Sequence, residues 1–455
     1  MSEKLSEVFE QYDMEITDTR KGRGSTILIT KEGMRILEPF RGSMVRLEQE
    51  YVLKQLFLER GLERLDHIIP NRDGQLFTCD KYRQPYVMKK HFEGEECDMN
   101  DPGDVVKAVE ALAKFHLQGQ WVAKEFEVRW SERRRQNEEQ RVEEIRRVIE
   151  DGEEMERVAY LYEISRSALQ KAINQEKQQN DPKTEKKEID EIHTADVYDR
   201  FVRHNAQIRK IGRFVRRVKR RNAFENLFLN IYEDFYRQGA ACVSMLEKGI
   251  EKNCSCLMSG CGDKDADAMD SCRGDEDLSV FKSGVKGEKE EKYTGCVGID
   301  HYGICHGSFN QHNVIMGEDG IAIVHFERFS RGNQLGDLYQ FARKVMEKNG
   351  YQFALLQEII DAYNKVIRIT KEDYEYMYIL FSYPEKFWKI ANSYYNSSKA
   401  FLSPKYIEKL EGVICQEKEK KEMLDNMKRI VFAAASVPLF SCVRSQKPSS
   451  GCVMQ

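Results

Sequence analysis

Three short segments hold the residues whose types and spacing could do chemistry. The first reads Ile304-Cys-His-Gly-Ser-Phe-Asn-Gln-His-Asn-Val-Ile-Met316, the second Ile321-Ala-Ile-Val-His-Phe-Glu327, and the third Gly336-Asp-Leu-Tyr-Gln-Phe-Ala342. An apolar approach, a polar loop and two apolar strands split by Gly317 to Gly320 describe a hairpin that presents the loop. The loop offers an imidazole at His306, a hydroxyl at Ser308 and an amide at Asn313. The second strand ends on His325 and Glu327. Asn313 and Glu327 are oxygen donors suited to a hard cation, whereas the imidazole of His325 is not what magnesium prefers. Asp337 precedes Leu-Tyr-x-Phe, which predicts a helix N-cap that also bonds the loop. His306 reads as a satisfied structural histidine rather than a catalyst.

These segments need a frame. Glu15-Ile-Thr, Ser25-Thr-Ile-Leu-Ile-Thr and Met34-Arg-Ile-Leu predict three short strands, the last two joined at Lys31-Glu-Gly33. Val45, Leu47, Val52, Leu53, Leu56 and Phe57 predict an amphipathic helix closed by Gly61. Gln75 to Cys79 and Tyr86 to Lys90 predict two more strands. Gly22-Arg-Gly24 could cover a nucleotide, but a lone Gly-x-Gly is more often a hairpin turn.

From Pro102 the period becomes helical. Residues 131–195 are dense in Glu, Arg, Lys and Gln, which predicts a solvent-exposed helical insertion. Residues 203–221 carry nine Lys or Arg and no acid, with Ile208, Ile211, Val215 and Val218 on the opposite face. That pattern predicts a helix docked through its apolar stripe, with phosphate or membrane binding as the alternative. The pattern continues without a break through Phe224, Leu227, Phe228 and Ile231. Residues 251–292 lack a period and predict a disordered loop. Its Cys254, Cys256, Cys261 and Cys272 do not form the paired knuckles that zinc favours.

Composition excludes several classes. With 72 basic and 76 acidic residues the net charge is -4, so no nucleic-acid partner is implied. The longest near-apolar run, Val431 to Phe440, is ten residues and includes a proline, too short for a membrane span. Met1 to Asp13 is acidic and polar with no apolar signal core, which predicts a cytoplasmic chain. Twelve cysteines then read as reduced thiols.

The three segments resemble the aminoglycoside phosphotransferase branch of the kinase-like superfamily, whose loop reads His-Gly-Asp with Asn five residues on, followed by Ile-Asp-Phe-Glu and an Asp-Leu helix start. Residues 208–236, 304–348 and 384–420 look closer still to CotS-like spore-coat proteins. The resemblance implies an α+β, two-lobed protein-kinase-like fold. Residues 1–96 would form the small lobe and 97–433 the helical lobe, with a charged insertion at 124–195, a disordered one at 250–292 and a disordered tail at 434–455.

Matched residue by residue, the family's loop His is His306 and its Asn is Asn313. Its base Asp falls on Ser308 and its metal-binding Asp on His325. Its phosphate-binding Lys falls on Glu38, near Arg35, with Glu48 or Glu50 as helix partner. Glu38 beside such a glutamate would repel both it and ATP. Gly22 and Gly24 would lie over the nucleotide, and Met88 to Glu93 would line an adenine pocket. Loss of base, metal ligand and phosphate clamp together implies a pseudo-enzyme without cofactor. By resemblance it would be made in the mother-cell cytoplasm and assembled with other coat proteins as a spore-coat scaffold. The alternative is an ATP- and magnesium-dependent small-molecule kinase holding metal through Asn313, Glu327 and His325. A third reading is a nucleotide-sensing switch without turnover.

Overall fold

The computed structural model describes residues 5–22, 24–151, 194–195, 197–259, 301–396 and 404–433. In the small lobe, β1 (Ile16–Lys21), β2 (Thr26–Thr30) and β3 (Gly33–Pro39) form an antiparallel meander. Helix α2 (Met44–Glu59), β4 (Thr78–Cys79) and β5 (Pro85–Lys90) follow, and the sheet order is β1-β2-β3-β5-β4. Strand residues alternate faces. Leu28, Leu37 and Met88 point outward, where Val8, Phe9 and Tyr12 of a short N-terminal segment with helix α1 (Ser6–Phe9) cover them. On the inner face Val87 packs with Leu47 of α2. Glu38 pairs with Val87 and Ile36 with Lys89, so Glu38 and Lys89 are diagonal neighbours on that inner face.

The large lobe is built on α3 (Pro102–Asp151), one helix of 50 residues. It runs through residue 124 without interruption, so the charged insertion expected there begins as a continuation of a core helix. Val105, Val109, Leu112 and Phe115 bury its inner stripe. Part of the segment expected to be a disordered loop is helical. Helix α5 (Ala223–Ser259) takes in residues 251–259, and the rest of that loop lies outside the described residues, as do Cys261, Cys272 and the tail after residue 433.

Helix α4 (Val197–Arg217) docks as its pattern predicts: Ile208, Ile211 and Val215 are buried against Phe224 and Phe228 of α5 and Phe387 and Ile390. It does not continue into α5. The chain breaks at residues 218–222, and Asn222 starts the new helix with reciprocal bonds, its backbone N–H donating to Glu225 Oε2 at 2.9 Å and its Oδ1 accepting from Glu225 N at 3.0 Å. This Asn-x-x-Glu capping arrangement outweighs the apolar periodicity that runs across the break. Val218 therefore falls outside the helix.

Two three-stranded sheets carry the loop segments. Strands β8 (Tyr302–Cys305) and β11 (Ser330–Asn333) pair antiparallel, with β7 (Thr194–Ala195) added in parallel. Strands β9 (Val314–Gly317) and β10 (Gly320–Ile323) form the expected hairpin, and β6 (Glu95–Glu96) pairs with β9. Six helices follow among the described residues: α6 (Leu335–Lys348), α7 (Phe353–Asn364), α8 (Lys371–Ser382), α9 (Glu385–Tyr395), α10 (Lys405–Cys415) and α11 (Glu417–Ala433). Among the described residues no helix is long and apolar enough to cross a membrane.

Docking of α4 has a measurable consequence. Ile208→Ala is expected to destabilise by about 2–5 kcal/mol because the side chain is fully buried. Arg213→Ala, on the outer face, is expected to change stability by less than about 0.5 kcal/mol. Urea unfolding of the two variants checks this; equal, small effects would mean that the helix is not held by its stripe.

Candidate functional site

The polar loop joins β8 to a single 3-10 turn at Gln311–Asn313. Its shape is set by Asp337 in the first turn of α6, whose Oδ2 accepts from His306 N at 2.5 Å and whose Oδ1 accepts from Gly307 N at 3.0 Å. Asp337 thus bonds the loop as expected, but Gln334, not Asp337, occupies the N-cap. The fully buried His306 donates from Nε2 to the carbonyl of Val324 at 3.0 Å, which leaves Nδ1 to accept from Ser308 N at 3.3 Å. Burial lowers its pKa and keeps the ring neutral. Both ring nitrogens are used, so His306 is a strut between two strands. Gly307 has φ +75, and a Cβ there would lie 1.9 Å from the carbonyl oxygen of Arg328, so only glycine fits.

Asn313 donates from Nδ2 to the Ser308 carbonyl at 2.9 Å and to Ser308 Oγ at 3.2 Å. These two sequence-selected residues are brought together, with the amide nitrogen holding the serine. Gly22 and Gly24 form the β1–β2 turn, with Gly22 N donating to Ser25 O at 3.0 Å and Gly24 at φ +79. Arg35 points elsewhere, donating to the carbonyls of Met34 and Glu32.

The second cluster contains Glu38, His325 and Glu327, whose donor atoms all lie within 4.8 Å of one another. His325 adopts φ +66, a left-handed conformation uncommon outside glycine. Its backbone N–H donates to Asp66 Oδ2 at 3.0 Å, and its Nδ1 is 3.5 Å from Glu327 Oε1. The hydrogen bond to Glu327 raises the His325 pKa, favouring imidazolium.

Glu38 does not leave the site without a cation, contrary to what the sequence implies. Lys89, one strand over on β5, places Nζ 3.0 Å from Glu327 Oε1, 3.6 Å from Glu50 Oε1, and 3.7 Å from both Glu38 Oε2 and Asp66 Oδ2. Lys54, fully buried on α2, lies 2.5 Å from Glu50 Oε1 and 2.6 Å from Asp66 Oδ1. The glutamate facing the site is Glu50; Glu48 instead pairs with Arg133 at 2.8 Å. Burial works against the charged form of Lys89, yet Glu50, Asp66, Glu327 and Glu38 together raise its pKa well above the ordinary value. Burial likewise opposes ionisation of Glu327, but His325 and Lys89 hold it well below the usual carboxylate range. The expected repulsion between Glu38 and Glu50 is therefore removed by two lysines.

Sequence reading missed Lys54, Lys89 and Asp66. A signal existed for one pair: Glu50 and Lys54 are four apart and fall on the same stripe as buried Leu47 and Phe57. Lys89 carried no such signal, because its partners come from four separate segments.

A resident magnesium does not fit this cluster. An ion between Glu38 and Glu327 would have to displace the Lys89 ammonium from 3.0 Å, and the third donor is an imidazole.

No family model matches the chain, and no curated protein matches it in sequence. Among solved structures it is similar to an aminoglycoside phosphotransferase from Alicyclobacillus acidocaldarius, at TM-score 0.60 and 12% identity over 93% of this chain and 95% of that one. The chain has the two-lobed kinase-like fold. Spectinomycin phosphotransferase aligns at TM-score 0.44 and 12% identity over 95% of this chain and 98% of that one. Amicoumacin kinase aligns at TM-score 0.45 and 9% identity over 93% and 92%.

Two outcomes follow from the charge network. Lys54→Met removes the nearer of two cations from the buried Glu50 and Asp66 and is expected to cost about 3–5 kcal/mol in urea unfolding. Protonated His325 stabilises the fold because its folded pKa is raised above 6.5. That contribution is fully present below about pH 6.5 and is lost as pH rises through the folded value. The melting-temperature gap between the protein and His325→Asn, a residue that tolerates the left-handed backbone, is therefore expected to be widest below pH 6.5 and to close at higher pH. A gap that widens with pH would contradict the assignment.

Proposed function

We propose that this kinase-fold protein is a structural component without phosphotransfer activity. The observation that carries the reading is the closed charge network: Lys89 Nζ is 3.0 Å from Glu327 and within 3.7 Å of Glu38, Glu50 and Asp66. Phosphoryl transfer rests on positioning and neutralisation of phosphate charge, with a carboxylate to orient the incoming hydroxyl. Ser308 supplies no carboxylate, and its Oγ is already bonded by Asn313. Assignment to the spore coat, with coat proteins as partners, rests on the resemblance of residues 208–236, 304–348 and 384–420 to CotS-like proteins.

A second reading, a small-molecule kinase with a rewired metal site, has one observation in its favour. Four carboxylates (Glu38, Glu50, Asp66 and Glu327) outnumber the two lysines, and the His325 imidazole joins Glu38 and Glu327 in a donor set better suited to manganese or zinc than to magnesium.

Calorimetry and an ATP-hydrolysis assay with magnesium or manganese separate the two. The scaffold reading expects no turnover with either metal. The double variant Ser308→Asp/His325→Asp is expected to gain at least about tenfold in magnesium-dependent ATP affinity, since a carboxylate at position 325 supplies the oxygen ligand that the imidazole lacks. Adding Glu38→Lys is expected to give no further gain, because a second ammonium would face Lys89. Manganese-dependent turnover of the unmodified protein that disappears in Glu327→Ala would overturn the scaffold reading.

A further inference from the structure

Helix α4 spends its apolar stripe on the core, and its basic residues remain outside. Several of them border a groove of about 690 Å³ between α4 and α5. Val202, Ala206 and Phe214 from α4 and Tyr236, Ala240 and Val243 from α5 give the groove its apolar lining. Phe214 is 56% exposed and Val202 39%, so this apolar surface reaches solvent, unlike the docked stripe. The charged lining is Arg209, Lys210, Arg213 and Arg217, with no carboxylate, and all four side chains are exposed. None of the four forms an ion pair with another described residue, although Arg216 beside them is paired with Glu233. The walls are fixed. The helices approach so closely that a Cβ on Gly239 would lie 2.3 Å from Asn205 Oδ1, and one on Gly212 2.4 Å from the Tyr232 ring. The groove is therefore formed before any partner arrives, which lowers the cost of docking.

From Val202 to Arg217 the groove runs along roughly 22 Å of α4, about four helical turns. Arg209, Arg213 and Arg217 recur every four residues, so they follow one another at about 6 Å along one edge. A helix laid in the groove, with carboxylates at every fourth position beside an apolar stripe, would meet both the cations and the apolar lining. We propose that this groove docks an acidic amphipathic helix of a partner protein. A bilayer fits less well, because a helix lying on a membrane inserts a continuous apolar face, and that of α4 is buried against α5 and Phe387. A nucleic-acid backbone would engage the cations and leave the apolar lining uncovered. No lining residue of the groove belongs to the cleft. Docking needs neither ATP nor a metal, and it stands or falls apart from the phosphotransfer reading.

The test is fluorescence anisotropy on the full-length protein without nucleotide. The probe is a labelled helical peptide of about four turns, with Glu at every fourth position beside a leucine stripe. Saturable binding is expected, weakening as salt is raised and lost when Gln replaces every Glu of the peptide. Arg209→Gln/Arg213→Gln is expected to weaken binding by about tenfold or more, and Phe214→Ser by about fivefold. Lys107→Gln/Lys114→Gln removes the same charge from exposed positions on α3 and is expected to leave binding unchanged. Urea midpoints of all three variants confirm that the fold is intact. Vesicles containing anionic phosphatidylglycerol and a single-stranded oligonucleotide are titrated in parallel. Absence of saturable peptide binding, an equal loss in the α3 variant, unchanged affinity in Phe214→Ser, or tighter binding of the vesicles or the oligonucleotide would each overturn the proposal.

Discussion

Asp66 joins charges that four segments bring to one place. Its Oδ1 is ion-paired with Lys54, and its Oδ2 accepts from the backbone of His325 and faces Lys89. Two unit charges about 4 Å apart interact by roughly 4 kcal/mol at the effective dielectric of a protein site. Glu50 and Asp66, both buried, could not share this space without compensation of that size, and burial itself adds a cost of several kcal/mol per ion. The two lysines supply it. Because Lys54 comes from α2, Lys89 from β5 and Glu38 from β3, the network also fixes the helix against the inner face of the sheet. This is a constraint on geometry more than a source of stability, since an apolar replacement of such a network is often neutral.

The same residue sets the conformation on the large-lobe side. The bond from His325 N to Asp66 holds a left-handed residue that would otherwise relax. Just before it, the Val324 carbonyl is fixed by His306; just after, the Glu327 and Phe329 carbonyls are fixed by Arg46. The segment from 324 to 329 is thus clamped on both sides.

Much of the architecture was legible because it is local. Strand alternation at residues 25–30 and 34–37, the stripe of α2 and the β9–β10 hairpin all follow from short-range periodicity, which directs the chain before any distant contact forms. The break at 218–222 was legible too, in the Asn222–Glu225 capping pair, but a continuous apolar stripe concealed it. The charge network was not legible, because Lys89 reads as the polar end of a strand and only the pairing of β3 with β5 sets it diagonally from Glu38. Matching Glu38 to a lysine position was therefore misleading as electrostatics: a side chain two residues along a neighbouring strand supplies a cation there.

What distinguishes the cleft is how far it is satisfied from within. A site prepared for phosphate and metal holds charges and donors that wait for the ligand. In the cleft, Ser308 is bonded by Asn313, His306 uses both ring nitrogens, Lys89 is surrounded by four carboxylates, and His325 leans on Glu327. Each group has found an internal partner, so a nucleotide arriving there would first have to break existing pairs, and its binding energy would be reduced by their worth.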